Sequence, residues 1–242
     1  MNMVISRKYG RTYHYPFSPG TTSDDRFNHY YQEDLSRIQT LVHTEKLDGE
    51  NNCLNRYGVF ARSHAAPTQS PWTRHLRDRW EQIRQDLGDL EVFGENLCAI
   101  HSIEYRRLEH HFYVFAIREL DRWLSWEETR FYAQLLDFQM VPELQTAHAP
   151  FTAENLEKQV KGWASQASRF DSYDALTGQS CTMEGVVSRN TGEYSVAAFR
   201  QNVFKYVRAE HVQTDEHWTR NWKRTPLLAE RPVMVLPQTT IR

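Results

Sequence analysis

Cysteine is scarce in this 242-residue chain: only Cys53, Cys98 and Cys181 occur, and they sit far apart. That spacing excludes a CxxC zinc motif, and the odd count leaves one thiol over in any disulfide scheme, so a reducing, cytoplasmic setting is expected. Glycine and proline number only 10 and 9, which removes collagen-like and low-complexity architectures. No apolar run approaches the ~18 residues of a membrane span, and the N-terminal MNMVISRKYGRTYHY lacks the apolar core of a signal peptide. No membrane partner is expected. An excess of one charge is also missing, with 29 Lys and Arg against 31 Asp and Glu and a net charge of −2. No global positive field would attract a polyanion, and any such contact must be local. Neither GxGxxG nor GxxxxGK[ST] occurs, so a nucleotide site would not be one of those phosphate cradles.

What the chain does have is an apolar fraction of 40%, with aromatics at 13%, enough to hide roughly 70% of the unfolded surface in a core. No repeat or Gly/Ser linker divides it, so a single domain over 1–242 is expected. Residues 225–242, with Pro226, Pro232 and Pro237, read as an extended tail, and residues 10–26 as a loop. Trp72, Leu76, Trp80, Ile83 and Leu87 form one apolar stripe of a helix. Ser125 and Glu128 make a capping box for a second helix reaching Phe138, a third runs from Thr152 to Ala167, and a weaker one covers Glu33–Ile38. Strand-like runs rich in β-branched and aromatic residues occupy 38–46, 57–63, 91–103, 112–119, 182–189 and 194–208. Strands that cluster rather than alternate with helices predict an α+β fold of mainly antiparallel sheets flanked by helices.

The sharpest local feature is Thr44-Glu45-Lys46-Leu47-Asp48-Gly49-Glu50-Asn51. A lysine ending a strand before an Asp-Gly turn presents its amine at the mouth of a sheet. Alone it is equally a surface hairpin. It is followed in order by VFARSH at 59–64, VFGENLCAIHSI at 92–103, FYVFAIRE at 112–119, EGVVSR at 184–189 and VFKYVR at 203–208. With these blocks the chain resembles, from about Tyr9 to Trp218, the covalent nucleotidyltransferases, above all the ATP-dependent RNA ligases typified by the second phage RNA ligase.

The resemblance implies an ATP-grasp-like nucleotidyltransferase domain, with ATP and Mg²⁺ (or Mn²⁺) as cofactors and RNA 3′-hydroxyl and 5′-phosphate ends as partners. It implies that Lys46 attacks the α-phosphorus of ATP, leaving lysyl-AMP. It further places Glu45 at the adenine, Asn51 at the metal and phosphates, Arg62 at the ribose or phosphate, Glu95 at the ribose hydroxyls, Phe115 stacked on the base, Glu184 at the metal and Lys205 at the α-phosphate. The residues themselves leave alternatives open. An ordinary lysine titrates near ~10.4, so Lys46 needs burial or the cations of Arg62, Lys205 and Mg²⁺ to lower its pKa, against the opposing pull of Glu45 and Asp48. Glu95 on an apolar face could equally pair with an arginine, and Phe115 could be core. Glu184 beside Gly185 suits either a hard ion or a strand bulge, and Lys205 needs a phosphate or a carboxylate.

The last block departs from the family pattern of two basic residues two apart: Lys205 is followed by Val207, and the next basic residue is Arg208. Either a bulge turns Arg208 inward or another cation such as Arg189 serves. In a regular strand Arg208 points away. SPGTTSDDR at 18–26 could bind phosphate, or Ser23 and Asp24 could cap a helix. His211, Asp215 and His217 fit no common metal spacing, the arginines of the first helix read as a solvated face, and Cys53 lacks an ordered His/Asp partner. Only 34 residues follow Arg208, which leads us to expect no appended OB-fold, against DNA ligase or capping chemistry, and leaves room for a partner protein that supplies RNA-binding surface. A non-catalytic RNA-binding module is the alternative from another class.

Overall fold

Alternating side chains of two strand-rich stretches give the chain two sheets, each with an apolar face to bury. The computed structural model describes residues 5–20, 25–209 and 220–231. Its strands are β1 (Tyr13–His14), β2 (Thr40–Lys46), β3 (Glu50–Asn55), β4 (Gly58–Phe60), β5 (Leu90–Asn96), β6 (Ile103–Tyr105), β7 (Phe112–Glu119), β8 (Arg122–Trp123), β9 (Gln139–Met140), β10 (Glu143–His148), β11 (Ser172–Asp174), β12 (Gly185–Asn190), β13 (Tyr194–Ser195) and β14 (Val203–Val207). The helices are α1 (Tyr31–Leu35), α2 (Arg74–Ile83), α3 (Trp126–Leu135), α4 (Ala153–Ala164) and α5 (Phe199–Asn202). One sheet has the order β1-β14-β12-β2-β10, the other β13-β8-β7-β5-β3-β4 with β9 beside β7, and β6 and β11 form a ribbon. Pairing is antiparallel except for β1 with β14 and β7 with β9. The expected α+β class is what the chain adopts.

Because successive side chains point to opposite faces, each sheet contributes to two cores. Val42 and Val203 of the first sheet meet Cys53, Phe93, Phe115 and Trp123 of the second between the sheets. Leu54, Val92, Val114 and Ile117 turn outward onto Leu76 and Ile83 of α2 and Ala133 of α3. Leu41, Val186 and Phe204 turn the other way onto Leu156 and Val160 of α4. Each such large apolar side chain contributes roughly 1.5–3 kcal/mol when fully buried. The layers therefore run helix, sheet, sheet, helix.

The Ser125–Glu128 capping box and the Thr152 N-cap are formed as read. The first helix is shorter than its stripe: a 3₁₀ turn at Pro71–Thr73 precedes α2, which stops at Ile83, while Leu87 is buried beyond it. The run 57–63 shrinks to β4, the second arm of a hairpin whose first arm, β3, has the sequence ENNCLN and little β propensity. The run 194–208 breaks into β13, a 3₁₀ turn, α5 and β14. Thr225 is buried, and its N–H donates to the Cys98 carbonyl at 2.8 Å, so the start of the tail is docked on the domain. Ser23, Asp24, His211, Asp215, His217, Pro232 and Pro237 lie outside the described residues.

Candidate active site

The turn Leu47-Asp48-Gly49 carries the chain from the end of β2 in one sheet to the start of β3 in the other. Asp48 fastens it: one carboxylate oxygen accepts from the Ser102 N–H at 2.9 Å, the Ser102 hydroxyl at 2.7 Å and the Ile103 N–H at 2.8 Å. A Cβ on Gly49 would lie 2.5 Å from the Asn96 carbonyl oxygen, so the close approach requires glycine there. Alternation along β2 then aims Thr44 and Lys46 between the sheets, and Lys46 stands opposite Gly185 in register. Its Nζ donates to Glu184 Oε2 at 2.7 Å. Gly185 marks a tight strand contact rather than a bulge: the register with β14 runs unbroken, and a Cβ there would collide with the Tyr206 carbonyl oxygen.

Two strands from Lys46, Lys205 projects from β14 into the same space, and its Nζ pairs with Asp25 Oδ1 at 3.0 Å. His14 Nε2 is 3.0 Å from the same oxygen. From the opposite sheet, Glu95 on β5 stands beside Asn51 on β3 and accepts from the Gly49 N–H at 3.2 Å. Lys46, Glu184, Lys205, Glu95 and Asn51, five of the residues singled out in sequence, thus converge on one cleft between the sheets.

The charges in this cleft are strained. Burial pushes the Glu95 carboxyl up to about 8; Lys46 opposes the shift, and Glu184 and Asp48 reinforce it. Burial also disfavours the Lys46 ammonium, but Glu184, Glu95 and Asp48 outweigh it and raise the pKa. The expectation of a lowered lysine pKa is therefore corrected for the unliganded protein: the carboxylates around Lys46 outweigh its burial. Lys205 goes the other way, lowered by burial and by Lys46. His14 falls to about 4 through burial and the Lys205 charge, so it is neutral near pH 7.

Glu45, the residue before Lys46 on β2, is buried, and burial raises its pKa to about 7, with Glu184 adding to the shift. One of its oxygens accepts from the Arg169 N–H at 3.2 Å, whereas Oε1 is buried with no hydrogen-bond partner. Asn51 Oδ1 is likewise buried and unsatisfied. Phe115 occupies a β-bulge, since Phe93 pairs with Ala116 and Gly94 with Val114. It packs edge-on to Tyr9 at 5.1 Å, at the inner core. Arg62 lies in an exposed turn after β4, and no hydrogen bond or ion pair to another described residue ties it to the cleft.

Strand β14 is regular to its end at Val207, and Arg208 follows it, its N–H donating to the Glu184 carbonyl at 3.0 Å. Its guanidinium exerts its field on Cys181 and Asp174. Arg189 faces inward but is committed elsewhere, donating to the Phe115 carbonyl and lying 5.4 Å from the Trp126 ring. Sequence reasoning missed Asp25 and His14 as partners of Lys205, and Asp48 and Ser102 as the fastening of the lysine turn. No periodic signal links those distant loops; only the Asp-Gly pair hinted at the turn.

Two facing, mainly antiparallel sheets with a lysine at the strand end and carboxylates around it are the arrangement of a nucleotidyltransferase domain of the ligase class. Residues 39–207, more than half the chain, match the family model described as RNA ligase, and the protein belongs to that family. No curated protein matches. Among solved structures, it is similar to a Naegleria gruberi RNA ligase mutant with ATP and Mn at 19% identity and a TM-score of 0.53, covering 90% of this chain and 60% of that one. An apo mutant of the same ligase gives 20% identity and a TM-score of 0.52, with 80% and 57% covered. An archaeal ATP-dependent RNA ligase gives 15% and 0.51, with 84% and 48% covered. The chain thus spans between about half and three-fifths of the length of these relatives, and the likeness is one of fold.

Proposed function

We propose that the protein is an ATP-dependent RNA ligase that joins a 3′-hydroxyl to a 5′-phosphate through lysyl-AMP and an RNA-adenylate. The observation that carries this reading is Lys46 held at a sheet end between Glu184 and Glu95, with Lys205 in the same cleft. In the first step the Lys46 amine forms a bond to the α-phosphorus of ATP, the bond to pyrophosphate breaks, and the ammonium proton is lost to solvent. Lys205 binds the α-phosphate oxygens, exchanging Asp25 for them. Glu45 Oε1 and Asn51 Oδ1, both buried without partners, offer acceptors to the adenine amine and to the ligands of the phosphates. Phe115 flanks the base, Glu95 accepts from the ribose hydroxyls, and Arg62 closes over the nucleotide from its turn.

The crowding of carboxylates around Lys46 fits a hard divalent ion, with Glu184 as the protein oxygen ligand. When bound, Mg²⁺ or Mn²⁺ supplies charge neutralisation at the phosphates. Adenylate then passes to the RNA 5′-phosphate, and the 3′-hydroxyl displaces AMP; both are in-line displacements that depend on positioning. A partner protein or a further domain would supply RNA-binding surface.

Intact mass measurement after incubation with ATP, GTP or NAD, each with Mg²⁺, tests the reading. A covalent AMP from ATP alone is expected, and Lys46→Ala should remove it entirely. An undiminished adduct in that variant, or none in the parent protein with any nucleotide, would overturn the assignment.

A further inference from the structure

We infer a second metal site, apart from the Lys46 cleft, in which His75, Cys98 and His111 bind Zn²⁺. His75 lies on the first turn of α2, Cys98 just beyond β5, and His111 just before β7. One ligand atom from each falls within 4.8 Å of the others, the only such His/Cys/Asp/Glu group among the described residues. Tetrahedral zinc places sulfur and nitrogen ligands roughly 3.3–3.7 Å apart, so small side-chain rotations close the triangle. The spacing of 23 and 13 residues between the three positions is why no zinc motif is visible in the sequence.

Two features mark the group as built for a ligand. Both ring nitrogens of His75 are buried without a hydrogen bond of normal geometry, the ring meeting only a weak contact with the Trp72 backbone, a costly state for a polar group unless something completes it. His111 Nε2 lies 2.8 Å from the Thr225 carbonyl oxygen and donates to it. That bond fixes the tautomer and leaves the Nδ1 lone pair as a ligand, the outer-sphere arrangement typical of metal-binding histidines. Arg224 reaches this corner, but Glu230 binds it at 2.7 and 2.8 Å and offsets its charge.

A thiolate and two imidazoles favour a borderline-soft ion over Mg²⁺ or Mn²⁺, which prefer the oxygen ligands of the cleft. Bound zinc would tie the start of α2 to the second sheet and, through Thr225, to residues 220–231. That segment is already joined there by the Thr225–Cys98 and Ile100–Lys223 backbone hydrogen bonds.

Titration of the whole protein with Co²⁺ tests the site. One equivalent should give a thiolate-to-cobalt charge-transfer band that Zn²⁺ abolishes by displacement. The band should persist in Cys181→Ser and vanish in Cys98→Ser. His75→Gln, a half-exposed helix position that preserves the fold, should weaken Co²⁺ binding at least tenfold while circular dichroism is unchanged. No thiolate band, a band that survives Cys98→Ser, or unaltered affinity in His75→Gln would overturn the inference. Adenylylation of Lys46 is not the readout, so the outcome stands apart from that of the ligase proposal.

Discussion

At the scale of single residues, the cleft trades stability for charge. Glu95 titrates near 8 in the folded protein against about 4.3 when unfolded. Between those values the native state binds the proton more tightly, so its contribution is favourable at low pH and is lost as the pH rises through about 8. Glu95→Gln should therefore stabilise the unliganded protein at pH 8 by roughly 1–2 kcal/mol, a shift of several degrees in Tm. The gain should disappear below about pH 4 in thermal scans. The same substitution should weaken ATP binding. For the phosphate side, Lys205 points into the cleft while Arg208 follows the strand end. Lys205→Ala should slow single-turnover adenylylation about ten- to a hundredfold, the effect of losing a charge-assisted contact of roughly 1.5–3 kcal/mol. Arg208→Ala should cost far less, and equal losses would show that Arg208 also reaches the phosphates.

At the scale of elements, the strands meet where a side chain is missing. Gly185 lets β12 and β14 approach until a Cβ would strike the Tyr206 carbonyl, and this pairing sets Glu184 beside Lys46. Gly185→Ala should destabilise the protein by roughly 2–4 kcal/mol, measured by denaturant unfolding, and abolish adenylylation even at temperatures where the fold persists. Which elements were legible follows from the same physics. β2, β7, α3 and α4 could be read from sequence because β-branched runs, a capping box and an apolar stripe each signal locally. β3 could not, because Glu50-Asn51-Asn52 is polar for reasons of the cleft and of buried hydrogen bonds: Asn52 donates to the Phe60 carbonyl at 3.2 Å and accepts from Asn96 at 2.9 Å. The candidate site residues were legible through the ordered blocks alone. Their partners Asp25, His14 and Ser102 were not, since they arrive from loops and from the two-residue strand β1, whose positions only the tertiary fold decides.

At the scale of the whole molecule, two sets of buried groups oppose each other. His14, His43 and His64 are each lowered by burial to about 4 from about 6.5. Their neutral forms favour the fold at high pH, and that contribution is lost as the pH falls from about 6.5 through about 4. Glu45 and Glu95, raised to about 7 and about 8, act in reverse. Thermal stability of the unliganded protein should peak near pH 6.5, and ATP with Mg²⁺ should move the peak upward by engaging those carboxylates; scans of Tm against pH check both. The turn Leu47-Asp48-Gly49 adds a mechanical consequence. Lys46 and Glu50 belong to different sheets with only three residues between them, so the turn lies at the apex where the two walls meet. Three hydrogen bonds accepted by Asp48 fasten that apex, so the attacking nitrogen is carried on a strand end whose position both walls set at once, and a substitution that loosens the anchor should misdirect the amine without removing it.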